Sequence, residues 1–235
     1  MVPFRLETLE NEIRLAIDKG YKFMTCREWA ELPPEHRDSR IVVFRIDVDD
    51  SIDKLWQLLD VCYLQKIRGS LFLRLHGQYN PFSFESYRII QESIRNGFEI
   101  GYHSEVIDQS ELWGEDSESC LKRDIELLSL MFNYKVVGVA SHGGRTGFNN
   151  LDFWQGRTAK DLGLLYEAYD DSPEFGLFSR SLYISDSEWT QWKCYQNGKR
   201  VSGDTRSFGD HLSDEPQLIY LLIHPETFFR VHPYE

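Results

Sequence analysis

The chain has 235 residues, 41% of them apolar and 27% charged, which excludes disordered, collagen-like and coiled-coil proteins and leaves enough chain to bury a full core. With 38 Asp plus Glu against 26 Lys plus Arg, the formal charge is -12, a balance that makes nucleic acid a poor partner. No stretch approaches the roughly 20 apolar residues that cross a bilayer, and the N-terminus has no signal-peptide core, so a cytoplasmic protein without membrane insertion is expected.

Residues 1–40 read as a helical and loop lead-in ending in the polar ELPPEHRDSR, and the whole of 1–235 reads as one domain. From Ile41 onward short apolar runs alternate with helix-period segments, the pattern of parallel strands covered by helices. The first run is IVVFRI (41–46). Ile52, Leu55, Trp56, Leu59, Cys62 and Tyr63 then recur at helical spacing, with Asp50 or Ser51 as the cap. SLFLRL (70–75) is the second run, and the helix through Tyr87, Ile90 and Ile94 ends at Gly97, suited to a left-handed terminus. FEIGY (98–102), a helical face of Leu121, Ile125, Leu128 and Phe132, and KVVGVA (135–140) follow. LLYEAY (164–169), SLYI (181–184) and LIYLLI (218–223) complete seven predicted strands. Cys26, Cys62, Cys120 and Cys194 lie far apart without a CxxC pair, so neither a zinc knuckle nor a disulfide framework is indicated; Cys62 and Cys120 read as core.

The residues that follow these runs carry the chemistry. Asp47 and Asp49 follow the first, His76 the second, His103 the third, His142 the fourth, Asp186 the sixth and His224 the seventh. One such residue usually caps a helix or bonds a loop amide. A set of them converging on the C-terminal rim of a parallel barrel reads instead as an active site. His76, in the turn-like HGQYNPF, stays with the local reading. Asp47 and Asp49 are two apart on extended chain and project to the same side, so they need a cation or a shared proton. Carboxylate and neutral imidazoles suit zinc or a similar divalent ion. If Asp49 holds the metal, Asp47 is free to act as a base on water, and Arg45 on the same face either holds Asp47 ionised or forms an ordinary ion pair. His224, in LLIHPE before the turn-fixing Pro225, is the candidate general acid.

Together FRIDVDD (44–50), LFLRLHGQYNPF, GFEIGYHSEVID, VASHGGRTGFNN, SLYISDSEW and LLIHPE resemble the polysaccharide deacetylase superfamily, the NodB-like carbohydrate esterases, and in particular a branch whose first motif is of R-H-D-V-D type. The similarity runs from 41 to 226. It implies an α/β fold, a distorted (β/α)7 TIM-like barrel of mostly parallel strands, and metal-dependent removal of an acetyl group from an N-acetylated carbohydrate in surface polysaccharide metabolism. It also implies Asp47 as base, Asp49 as metal ligand and His224 as acid. The family's second motif has two metal histidines four apart; His103 matches the first, and Ile107 occupies the place of the second. His142 is expected to complete a site for one divalent ion, zinc, with Glu105 or Asp108 as an oxygen alternative. Ile46 replaces the usual histidine before the aspartate, and HGGRTG (142–147) replaces the family's oxyanion loop.

Carbohydrate contacts are expected from Arg145, Asp186, Trp189 and Asn80, with Trp154 and Tyr79 as further aromatic platforms. Amides of Gly143 to Gly147, or Arg145, are candidates for the oxyanion site. Two other functions fit the missing histidine at position 107: hydrolysis of another small C–N substrate with weakened or absent metal, and a catalytically silent carbohydrate-binding barrel. The base, ligand and acid in matched places argue against the last. Oligomeric state is not legible in the sequence.

Overall fold

In a computed structural model, residues 4–37 and 40–229 are described; Asp38 and Ser39 of the polar lead-in lie outside the described residues. The chain runs α1 (Leu6–Asp18), β1 (Lys22–Met24), α2 (Cys26–Glu31), β2 (Ile41–Val48), α3 (Ile52–Leu64), β3 (Ser70–Leu73), α4 (Phe84–Arg95) and β4 (Glu99–Ser104). It continues with α5 (Val106–Trp113), α6 (Ser117–Phe132), β5 (Gly138–Ser141), β6 (Tyr166–Glu167), α7 (Leu177–Arg180) and β7 (Leu182–Ser185). The last part holds β8 (Lys193–Gln196), β9 (Lys199–Arg200), α8 (Phe208–His211) and β10 (Leu218–Ile223).

All seven predicted strands are present, in one sheet of order β6-β5-β4-β3-β2-β10-β7-β8-β9. Pairing is parallel from β6 to β7 and antiparallel through the β7-β8-β9 end. The fold is therefore α/β with a mostly parallel sheet, as a distorted barrel requires. Among the described residues no ladder joins β6 to β7. That gap is bridged by side chains, with the Tyr169 and Tyr183 hydroxyls 3.2 Å apart and Tyr220 donating to the Ala168 carbonyl at 3.2 Å.

The lead-in does more than introduce the domain. Its β1 pairs with Ile41–Val43 of β2, while β3 pairs with Arg45–Val48 farther along the same edge, so two short strands divide one side of β2. Three residues are too few for a period-two signal, which is why this strand is invisible in the sequence.

Alternation along the strands sorts residues into two cores. Val42, Phe44, Ile46 and Val48 face the helices, against Leu55, Leu58, Leu59 and Cys62 of α3. Ile41, Val43, Phe72, Ala140, Tyr166, Tyr183, Tyr220 and Leu222 fill the barrel interior. Two glycines admit the large rings there. A Cβ on Gly101 would stand 2.5 Å from the Phe72 ring, and one on Gly138 would stand 2.2 Å from the Tyr166 phenol. At the helix ends, the Ser51 side chain caps α3 by accepting from the Lys54 amide, and Gly97 has φ +83° after α4.

Candidate active site

The interior face of β2 runs Ile41, Val43, Arg45, Asp47 and then Asp49, so the same alternation that buries two apolar residues carries three charged ones to the C-terminal mouth. Arg45 and Asp47 are 1% and 2% exposed. Their contact is bidentate: Arg45 Nε donates to Asp47 Oδ1 at 2.8 Å and Nη2 to Oδ2 at 2.6 Å. Burial alone would raise the Asp47 pKa, but Arg45 and then His103 outweigh it and hold the carboxyl below its ordinary value.

His103, from β4, places its Nδ1 2.8 Å from the Ala140 carbonyl. A carbonyl only accepts, so Nδ1 carries the hydrogen and Nε2 faces the carboxylates. That Nε2 lies 3.2 Å from Asp49 Oδ1 and 3.4 Å from Asp47 Oδ2. His142, after β5, brings Nε2 to 3.9 Å from Asp49 Oδ2, with its ring 5.1 Å from that of His103. Asp49, His103 and His142 thus meet at one mouth, as their positions after strands predict. Burial, and then the charge on His103, hold the His142 pKa down to about 4, which keeps the imidazole neutral.

Asp186 is fully buried beneath His224. It accepts the His224 amide at 2.9 Å, and its other oxygen is 2.7 Å from His224 Nδ1. The expectation that Asp186 touches substrate is therefore corrected: both oxygens are occupied behind the histidine. Burial by itself would lower the His224 pKa, but Asp186, with help from Asp47 and Asp49, lifts it to about 9. The opposite nitrogen, Nε2, faces the mouth 4.0 Å from Asp49 Oδ2.

Other expected contacts divide by exposure. Trp189 is 49% exposed and its ring centroid is 5.4 Å from that of His224, a position open to substrate. Arg145 is exposed on the loop after β5. Asn80 is exposed, but its side chain is turned inward on its own loop, accepting the Phe82 amide at 2.9 Å. Trp154 is part-buried and donates to Ser141 at 3.1 Å. Tyr79 is no platform, because its hydroxyl is fixed between the Arg74 amide and the Val48 carbonyl.

Two residues important to this geometry, Arg74 and Glu226, escaped sequence reading. Arg74, 1% exposed, donates to Glu105 at 2.5 Å and to the Asp49 carbonyl at 3.2 Å. Its signal was a charged residue inside an apolar run. Asp108 accepts from the Arg145 amide, the Thr146 amide and the Thr146 hydroxyl on one oxygen and from Asn150 on the other. It therefore shapes the loop, and one of its oxygens also lies within 4.8 Å of a Glu105 oxygen and a His142 ring nitrogen, a group that could hold a metal ion. The same bonds correct the oxyanion expectation for the Arg145 and Thr146 amides, which are already engaged. Glu226 accepts the Asp50 and Ser51 amides at 2.8 and 2.7 Å, tying the turn after β2 to the one after β10.

The residues present fit a divalent cation. Asp47 is neutralised by Arg45, Glu105 by Arg74 and Asp186 by His224, while the Asp49 carboxylate faces the imidazoles of His103, His142 and His224. Asp49 Oδ1, Glu105 Oε2 and His142 Nδ1 are buried without hydrogen-bond partners, atoms whose burial is costly unless something meets them.

Comparison with solved structures finds this mostly parallel, barrel-like α/β fold. The chain is similar to a Streptococcus mutans CE4 esterase at 14% identity, over 89% of this chain and 83% of that one, with a TM-score of 0.52. It also matches the Streptococcus pyogenes deacetylase PplD at 16% identity, over 68% and 70%, with a TM-score of 0.49. A chitin deacetylase from the fungus Colletotrichum lindemuthianum matches at 18% identity over 44% and 46%, with a TM-score of 0.38. No family model and no curated protein matches the sequence.

Proposed function

We propose that the protein is a metal-dependent hydrolase that removes an acetyl group from an N-acetylated carbohydrate in surface polysaccharide metabolism. One observation carries the reading: a buried carboxylate fixed by Arg45, a second carboxylate faced by His103 and His142, and a histidine backed by Asp186 converge on one barrel mouth. These are a base, a cation cradle and an acid within reach of one bond. Asp49, His103 and His142 would hold the divalent ion, zinc being the best match to one carboxylate and two imidazoles, and its chemistry there is Lewis acidity toward the scissile carbonyl and the attacking water.

The chain's own groups do the proton work. Asp47, kept ionised by Arg45, takes the proton from water as its oxygen attacks. His224, protonated at neutral pH because Asp186 supports the imidazolium, gives Nε2–H to the departing nitrogen. Trp189 beside His224 offers an aromatic face to the sugar ring, and exposed Arg145 offers a cation at the rim. Ile107, partly buried against the helical core, leaves His142 to supply the second imidazole from a neighbouring strand. The test is acetate release from N-acetylglucosamine oligomers by protein with and without added zinc. Acetate released only with metal supports the reading, and none under either condition removes it.

A further inference from the structure

A second group of ligand-type residues lies away from that mouth, beside the antiparallel end of the sheet. Cys194 is on β8, Asp204 follows β9, and His211 ends α8. One ligand atom from each lies within 4.8 Å of the others. All three line a cavity of about 550 Å3. Cys194 and His211 are each 1% exposed.

His211 Nε2 is the telling atom. It is buried and has no hydrogen-bond partner, with Asp204 Oδ1 at 3.8 Å, beyond bonding reach. A buried ring nitrogen left in this way costs stability unless a further group meets it. Asp204 is already ionised and aimed by Arg206, whose Nε and backbone amide each approach Oδ1 at 3.1 Å while Nη2 donates to Oδ2 at 2.8 Å. The Nε hydrogen is shared with Oδ2 at 3.3 Å, so three donor hydrogens meet the carboxylate's four or so acceptor positions and one remains for another partner.

We propose that Cys194, Asp204 and His211 form a second, structural divalent-metal site that favours zinc-like ions, with water in the fourth position. Sulfur, nitrogen and one oxygen make a borderline-soft set that suits zinc and disfavours magnesium or calcium. Binding exchanges the Cys194 thiol proton, released to solvent, for a metal–sulfur bond, and no electron changes hands. The ion would join the β8-β9 hairpin to α8, which the sheet ladders do not connect. This site stands independently of the hydrolase reading, because it shares no residue with the barrel mouth.

Cobalt(II) titration of the intact chain after chelator treatment tests it. A thiolate ligand gives cobalt an intense near-ultraviolet charge-transfer absorption, and the Asp49, His103 and His142 cradle contains no sulfur, so the band reports this site alone. The expected result is a band that is bleached by zinc, persists in Asp49→Asn and saturates there at one equivalent. It should vanish in Cys194→Ser, and His211→Gln should weaken cobalt binding at least about tenfold. Because a substitution at buried Cys194 can impair folding, zinc protection of Cys194 against alkylation in the unaltered protein, mapped by mass spectrometry, provides a second readout. Absence of both the band and the protection overturns the proposal, as does a band that survives in Cys194→Ser.

Discussion

At the residue scale the candidate chemistry rests on two buried pairs, and each can be probed separately. Asp47 is held ionised by a bidentate guanidinium and is not needed in the proposed cradle. Asp47→Asn should therefore lower turnover on the order of a hundredfold or more, while elemental analysis shows unchanged metal content; loss of the ion would reassign Asp47 as a ligand. His224→Ala should depress hydrolysis of an N-acetyl sugar far more than that of an activated acetate ester, since an amine leaving group needs a proton and a phenolate does not. Equal losses on both substrates would make His224 a positioning residue. The pH profile follows from Asp186. A raised pKa keeps the acid form of His224 available until pH climbs through about 9, and activity that needs the proton declines above that point. Replacing Asp186 by Asn removes the charge that supports the imidazolium, so the alkaline limb should move to lower pH, whereas a purely structural role for Asp186 would lower activity without moving the limb.

At the scale of elements, the strands were legible because their periodicity survives in one dimension. IVVFRI continues two residues beyond its apolar run to include Asp47 and Val48 in β2, since the charged residues keep the alternation and so the interior face. The short β1, the β8-β9 hairpin and α5 lacked such a run or period and were not predicted. Glycine placement was also opaque in the sequence: Gly138 looks like any small strand residue until Tyr166 is seen against it. Gly138→Ala would press a methyl group on that phenol, with an expected destabilisation of about 1 to 3 kcal/mol from overpacking. A denaturant melt that matches the unaltered protein would show that the ring has room to move.

For the whole molecule, the mouth concentrates acidic groups that a bound cation would relieve. If Asp49, His103 and His142 hold a divalent ion only in the folded state, zinc at a hundredfold its dissociation constant should stabilise the chelator-treated protein by about 2.7 kcal/mol. Thermal melting with and without zinc measures the shift. Because the proposed Cys194 site would contribute a shift of its own, the comparison belongs in Cys194→Ser, where Asp49→Asn should abolish what remains. A shift that survives both substitutions would place the binding elsewhere.

The sequence by itself determined which way the strand residues at the mouth point. Strand alternation assigns Arg45, Asp47 and Asp49 to one face, and the end of each apolar run marks where His103, His142 and His224 emerge, because side-chain direction along extended chain is a local property. Partnership was decided only by the tertiary structure. Nothing local distinguishes Asp186, locked under His224, from a residue that meets substrate. The approach of Cys194, Asp204 and His211 likewise depends on how a hairpin, a loop and a short helix pack. Hydrogen bonding and burial belong to pairs of groups brought together by folding, and the composition of either segment alone does not contain them.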